Sequence, residues 1–116
     1  MDEILKLTLL YDFYGELLTE KQKQVFEMHY QNDLSLSEIG EELSISRQAV
    51  RDQLKRTEKI LIQYEEKLRL VERFQEQQRA VRKMKSILDE IGTGEISLKT
   101  TQAITIMKQI ADAILS

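Results

Sequence analysis

Between residues 46 and 59 the chain carries cations and amides at helical spacing: Arg47, Gln48, Arg51, Gln53, Lys55, Arg56 and Lys59. Groups three or four residues apart share one face of a helix. Guanidinium and carboxamide groups bond base edges in pairs, and lysines neutralise phosphates. The chemistry this pattern supports is recognition of a polyanion. Arg47, Gln48 and Arg51 are the candidates for base edges. Ser46 and Lys55 are placed to hold phosphates, and Arg56 and Lys59 add charge.

These residues need a helix that is anchored on its other side. Residues 35–60, SLSEIGEELSISRQAVRDQLKRTEKI, supply one. The segment reads as a helix-turn-helix, two short helices crossing steeply with the second free to enter a groove. Ile39 and Leu43 lie i, i+4 on the first helix; Ala49, Val50 and Leu54 are the apolar positions of the second. Ile45 is expected in the corner between them. Small Gly40 permits close approach, and Ser46 is placed to cap the second helix.

Other chemistry is thin. There is a single histidine, His29, and no cysteine, so neither a thiolate metal site nor a cysteine nucleophile exists. Glu41-Glu42 and Glu65-Glu66 are adjacent pairs, which point to different faces of a helix and read as solvated. Gly92-Thr93-Gly94 follows no strand and is a turn, not a phosphate loop. No catalytic group, metal or cofactor is expected. A second basic cluster stands further on: Arg79, Arg82 and Lys83 fall at i, i+3, i+4 and make a second candidate patch, with Lys85 close by and Arg73 earlier.

Residues 18–61 resemble region four of bacterial sigma factors. The matching positions are Leu18, Val25, Phe26, Tyr30, Ser37, Glu38, Ile39, Gly40, Ile45, Ser46, Val50, Leu54 and Arg56, over about a third of the chain. Sigma factors end soon after this unit, and this chain does not. Taken whole, from a short first helix to a long helical tail, it resembles the YlxM family of small firmicute-type proteins. That resemblance implies a regulatory protein linked to the signal recognition particle pathway. Its partners would be DNA or RNA, including the particle's own RNA or protein.

The composition is that of an all-α protein. The 116 residues include no proline and only four glycines, and 32% are charged. A first helix is expected from Glu3 to Leu17, with Ile4, Leu7, Leu10, Tyr11, Tyr14, Leu17 and Leu18 as its apolar stripe. Thr19 with Gln22 makes a capping box for a second helix, which Asn32-Asp33 breaks. Ser35 or Ser37 caps the third, ending near Leu43, and the fourth begins after Ser46. No breaker then occurs before Gly92, so the fourth helix either runs straight into the tail or bends near residues 60–66. Leu61, Tyr64, Leu68 and Val71 continue its stripe, and Val81, Met84, Leu88 and Ile91 repeat the spacing. A last helix from Ser97 to Leu115 carries Ile104, Met107, Ile110, Ala111 and Ile114 on one face and pairs antiparallel with the long one.

The expected division is a unit at 1–62, containing the motif 35–60, and a helical hairpin at 63–116 for dimerisation or partner docking. A long helix that outruns its partner by several turns leaves apolar surface uncovered, which points to a homodimer or larger assembly. The net charge of −3 conceals an asymmetry. Residues 37–60 hold five basic and five acidic side chains, whereas residues 61–88 hold seven basic and four acidic. Dedicated DNA binders are usually basic over the reading unit. The same fold could therefore serve as a protein–protein adaptor, or as an anti-sigma or sigma-mimic protein. The N-terminus lacks a signal peptide's basic start and unbroken apolar core, and no run is long enough to insert in a membrane. A cytoplasmic location is the expectation.

Overall fold

The computed structural model describes residues 2–92, 94 and 96–116. Six α-helices occur among them: α1 (Glu3–Tyr14), α2 (Glu20–Tyr30), α3 (Leu36–Leu43), α4 (Arg47–Leu68), α5 (Leu70–Ile91) and α6 (Leu98–Leu115). The chain divides into two compact units, residues 1–71 and 72–116. The first unit thus extends past residue 62 and takes in all of α4 and the first residues of α5. Thr93, within the expected turn, lies outside the described residues.

The first unit is organised on α4. Helices α1, α2 and α3 all pack against it. Its buried side chains are Val50, Leu54, Thr57 and Leu61, one every three or four residues. The N-terminal end of this stripe joins Val25, Met28 and Ile39 in one cluster, with Ile45, Leu43 and Leu36 partly buried against it. This is the corner of the helix-turn-helix, as the spacing of Ile39, Ile45, Val50 and Leu54 leads one to expect. Leu61, at the other end, joins Leu7, Leu10, Tyr14, Leu18, Phe26 and Val71 in a second cluster.

Helix starts follow the side chains that can satisfy free amides. The Thr19 hydroxyl accepts from the Gln22 amide at 3.2 Å, while the Gln22 side chain accepts from the Thr19 amide at 2.9 Å. Ser35 and Glu38 make the same reciprocal pair for α3, so Ser35, not Ser37, is the cap. Bonding to the Ser35 amide holds the Glu38 carboxyl below its ordinary range. The turn of the motif needs Ser44 left-handed, at φ 58°. It also needs Gly40 bare: a Cβ there would lie 2.7 Å from the Ile45 carbonyl oxygen. Gly40 therefore makes room for the turn's own backbone.

Three tyrosine–glutamate bonds tie the helices together. Tyr11 of α1 donates to Glu27 of α2 at 2.5 Å, Tyr14 of α1 donates to Glu65 of α4 at 2.6 Å, and Tyr30 of α2 donates to Glu58 of α4. Burial, together with the carboxylate partner, raises all three phenols above their ordinary value.

Four sequence expectations change. Helix α1 stops at Tyr14 and continues as a 3-10 turn, Gly15–Leu17, and of its expected apolar stripe Ile4 and Leu17 are more than half exposed. Helix α4 neither bends at 60–66 nor runs on. It ends at Leu68 because Arg69 is left-handed, at φ 53°. The amides released there are met from within the unit: Leu70 donates to the Tyr14 hydroxyl and Val71 to the Glu65 carboxylate, both at 3.0 Å. Glu65 is consequently an internal acceptor and not part of a solvated face, unlike its neighbour Glu66, which is exposed. Finally, α5 has 22 residues against 18 in α6. At about 1.5 Å per residue the excess is about one turn, not several.

In the second unit α5 and α6 run antiparallel. Lys85 pairs with Asp112 at 2.5 Å and Asp89 with Lys108 at 2.7 Å. The buried amide of Gln78 donates to the Ile114 carbonyl. Ile104 and Ala111 are buried, but Met84, Ile87, Met107, Ile110 and Ile114 remain 44–58% exposed around an apolar groove of about 280 Å³.

Gly40→Ala should cost about 1–3 kcal/mol, because the added carbon meets backbone that cannot swing aside. A urea-unfolding midpoint equal to the parent's would refute the role given to Gly40. The raised phenols predict an alkaline weakness. A group whose folded pKa exceeds its unfolded value stabilises fully below the unfolded value, about 10 for tyrosine. The contribution fades as pH climbs past that value toward the folded one. Urea midpoints should therefore hold up to about pH 10 and fall above it, and fall less in Tyr30→Phe.

Candidate nucleic-acid interface

Helix α4 opens on Ser46, whose hydroxyl oxygen accepts from the Ala49 amide at 3.0 Å. Its lone pair is committed to the cap, while its proton stays available to an outside acceptor. Arg47 is the first helical residue. Helices α1, α2 and α3 each carry a glutamate in the first turn, which suits the positive end of the helix dipole; α4 carries none. A cation at that end opposes the dipole, so helix stability does not account for Arg47.

Arg47, Gln48, Arg51, Lys55, Arg56 and Lys59 are all exposed. At about 100° per residue, Arg47, Arg51 and Lys55 make one strip that runs beside the buried strip of Val50, Leu54 and Leu61, about a quarter-turn round the helix. Among the described residues neither arginine nor Lys55 bonds to another side chain. Gln48 differs: its amide donates to the Asp52 carboxylate at 3.0 Å. Arg56 is steered by a bond from Nε to the Asp52 carbonyl at 3.4 Å. A ligand reading through Gln48 has first to displace Asp52.

Of the motif's five acids, Glu58 is half-buried and bonded by the Tyr30 hydroxyl, and Glu38 is engaged in the α3 capping box. Glu38, Glu41, Glu42 and Asp52 are all exposed, against five exposed cations.

Arg56 and Lys59 also border a second feature that sequence reasoning passes over. A groove of about 510 Å³ runs between the start of α2 and the second half of α4, and Lys21 and Thr57 line it with them. The one available signal is Thr57 itself, a polar residue in register with Val50, Leu54 and Leu61.

Arg79, Arg82 and Lys83 are exposed on α5 in the second unit, as is Arg73. Lys85 is taken up by Asp112. His29 is half-buried, with Nδ1 3.0 Å from the Leu34 carbonyl oxygen and its ring edge-on to Tyr30. Among the described residues no three histidine, cysteine or acidic side chains gather as a metal site would require. Nor does any helix have the length and apolarity to cross a membrane.

Comparison with known proteins agrees with the helix-turn-helix fold. Residues 1–104 match the family described as "Putative helix-turn-helix protein, YlxM / p13 like". A UPF0122 protein of Caldanaerobacter subterraneus subsp. tengcongensis is 56% identical over 87 residues, 75% of this chain and 74% of that protein. A UPF0122 protein of Bacillus cereus strain AH187 is 49% identical over 90 residues, 78% of this chain and 82% of the relative. One from Bacillus thuringiensis subsp. konkukian matches equally well.

Proposed function

The chain belongs to the YlxM/p13-like helix-turn-helix family, and we propose that it is a nucleic-acid-binding regulatory protein that docks α4 into a duplex groove. The observation that carries this reading is the strip of Arg47, Arg51 and Lys55: exposed, on the first turns of the reading helix, and bonded to no side chain of the described residues. A docked recognition helix meets base edges with its N-terminal residues. Arg47, Gln48 and Arg51 read bases; Ser46 and Lys55 hold phosphates; Arg56 and Lys59 add charge. Glu41, Glu42 and Asp52 oppose phosphate, so binding is weak and falls steeply with salt. The resemblance to the YlxM family extends this to a role in the signal recognition particle pathway, in the cytoplasm.

Arg47→Ala/Arg51→Ala should abolish duplex binding, read by fluorescence anisotropy at low salt, with an unchanged thermal melt. Glu41→Gln/Glu42→Gln should tighten it. If the arginine variant binds like its parent, groove docking by α4 is wrong, and Arg79, Arg82 and Lys83 become the candidate contact.

A second reading, a protein–protein adaptor, is favoured by the Gln48–Asp52 bond, which keeps one reading side chain occupied. Docking through apolar surface responds little to salt, and the two readings part on that response.

We also propose that the second unit pairs with another copy of the chain. Its reason is no longer an overhanging helix but the exposed apolar set Met84, Ile87, Met107, Ile110 and Ile114. Burying one such side chain contributes about 1.5–3 kcal/mol. Sedimentation equilibrium at micromolar concentration should give at least twice 13.6 kDa. A clean monomer would remove this part of the reading.

A further inference from the structure

We propose that the groove between the start of α2 and the second half of α4 is a phosphate-binding subsite. Three cations line it, Lys21, Arg56 and Lys59, together with the amides of Gln22, Gln53 and Gln63, and no acidic side chain does. Its volume, about 510 Å³, exceeds what a single water needs. The start of α2 lies at one wall. There the capping box satisfies the amides of Thr19 and Gln22. The amides of Glu20 and Lys21 remain without helical acceptors, as the first amides of any helix do. Such an end carries partial positive charge and favours anions.

The independent pointer is Thr57. It is 1% exposed and lines the groove, and its hydroxyl has no hydrogen-bond partner among the described residues. Buried hydroxyls are ordinarily bonded, because losing water without replacement is unfavourable. No fully enclosed side-chain oxygen or nitrogen of the described residues lacks a partner. The Thr57 oxygen therefore opens onto the groove and not into a sealed void. A water would satisfy it, and the three cations that line the same groove are what favour an anion in its place. A phosphate oxygen accepts from the hydroxyl and balances the cations.

The subsite deepens the nucleic-acid reading and depends on it only for the source of the phosphate. Arg56 and Lys59 are shared between the groove and the exposed side of α4. A backbone phosphate of a duplex lying along that side would have the groove beside it. A free phosphate or phosphomonoester presents the same chemistry.

The test uses the full chain, with amide chemical shifts followed while inorganic phosphate replaces chloride at constant ionic strength. The subsite predicts saturable shifts at Glu20, Lys21 and Thr57. It predicts their loss in Lys21→Ala/Lys59→Ala, and binding several-fold weaker in Thr57→Val. Both lysines are exposed, so the double variant keeps its fold, checked by its melt, even if Thr57→Val does not. Shifts that fail to saturate, or that persist in the lysine variant, overturn the subsite. Adding duplex DNA to the phosphate-loaded protein then separates the sources. Displacement of phosphate identifies the nucleic-acid backbone; phosphate retained at saturating duplex identifies a free phosphate compound. Where duplex is the source, Lys21→Ala should make the slope of log K against log salt shallower by about 0.9. Saturable phosphate binding without any duplex binding would defeat the nucleic-acid reading and leave the subsite standing. Duplex binding with no phosphate response would do the reverse.

Discussion

Helix α4 has to be dry on one side and wet on the other along most of its length, and the first unit is the solution to that constraint. Val50, Leu54, Thr57 and Leu61 form a strip that only several helices together can cover. Helix α3 with Val25 and Met28 of α2 covers the first half, and α1 with Phe26 of α2 the second. Fully burying an aliphatic side chain contributes roughly 1.5–3 kcal/mol, so these contacts outweigh the weak intrinsic preference of any single short helix. The strip beside it, Arg47, Arg51 and Lys55, is exposed.

The electrostatics of the unit follow from the same arrangement. Glu27, Glu58 and Glu65 each accept a hydrogen bond from a tyrosine hydroxyl across a helix boundary. In each pair the phenol supplies a donor at the edge of an apolar cluster, where an unbonded carboxylate would be unfavourable. The arrangement draws acids inward and leaves the cations of α4 outside.

How much of this is legible along the chain depends on the range of the interaction. Thr19 with Gln22, Ser35 with Glu38, and Ser46 before Arg47 are local pairings, and the helix starts fall where they predict. Gly40 and Ile45 are also visible as the close approach and the corner of the motif. The end of α4 is not. Arg69 is a good helix former with no glycine or proline beside it. It turns left-handed where Tyr14, 56 residues from Leu70 along the chain, and Glu65 receive the freed amides. Glu65 looks solvated beside Glu66 for the same reason, since its partners come from distant segments. Of the candidate interface, Lys55 lies clear of the buried strip by the helical period, whereas Arg47, two turns before Leu54, falls in register with it and is exposed at the start of α4. The Gln48–Asp52 bond is local and was available as an i, i+4 pair. The groove was not, because Lys21 and Thr57 are neighbours only after folding.

The placement of the aromatic residues has an optical consequence. The chain has no tryptophan, and its four tyrosines, Tyr11, Tyr14, Tyr30 and Tyr64, all belong to the first unit. Three of them are bonded to carboxylates, and Tyr11 stacks on Phe26 with ring centroids 4.4 Å apart. The second unit has Phe74 alone. Ultraviolet absorbance, tyrosine emission and near-ultraviolet dichroism therefore report on the helix-turn-helix unit and are nearly blind to the hairpin. A melt followed by tyrosine and one followed by backbone dichroism observe different parts of the molecule. Their coincidence or separation measures whether the two units unfold as one.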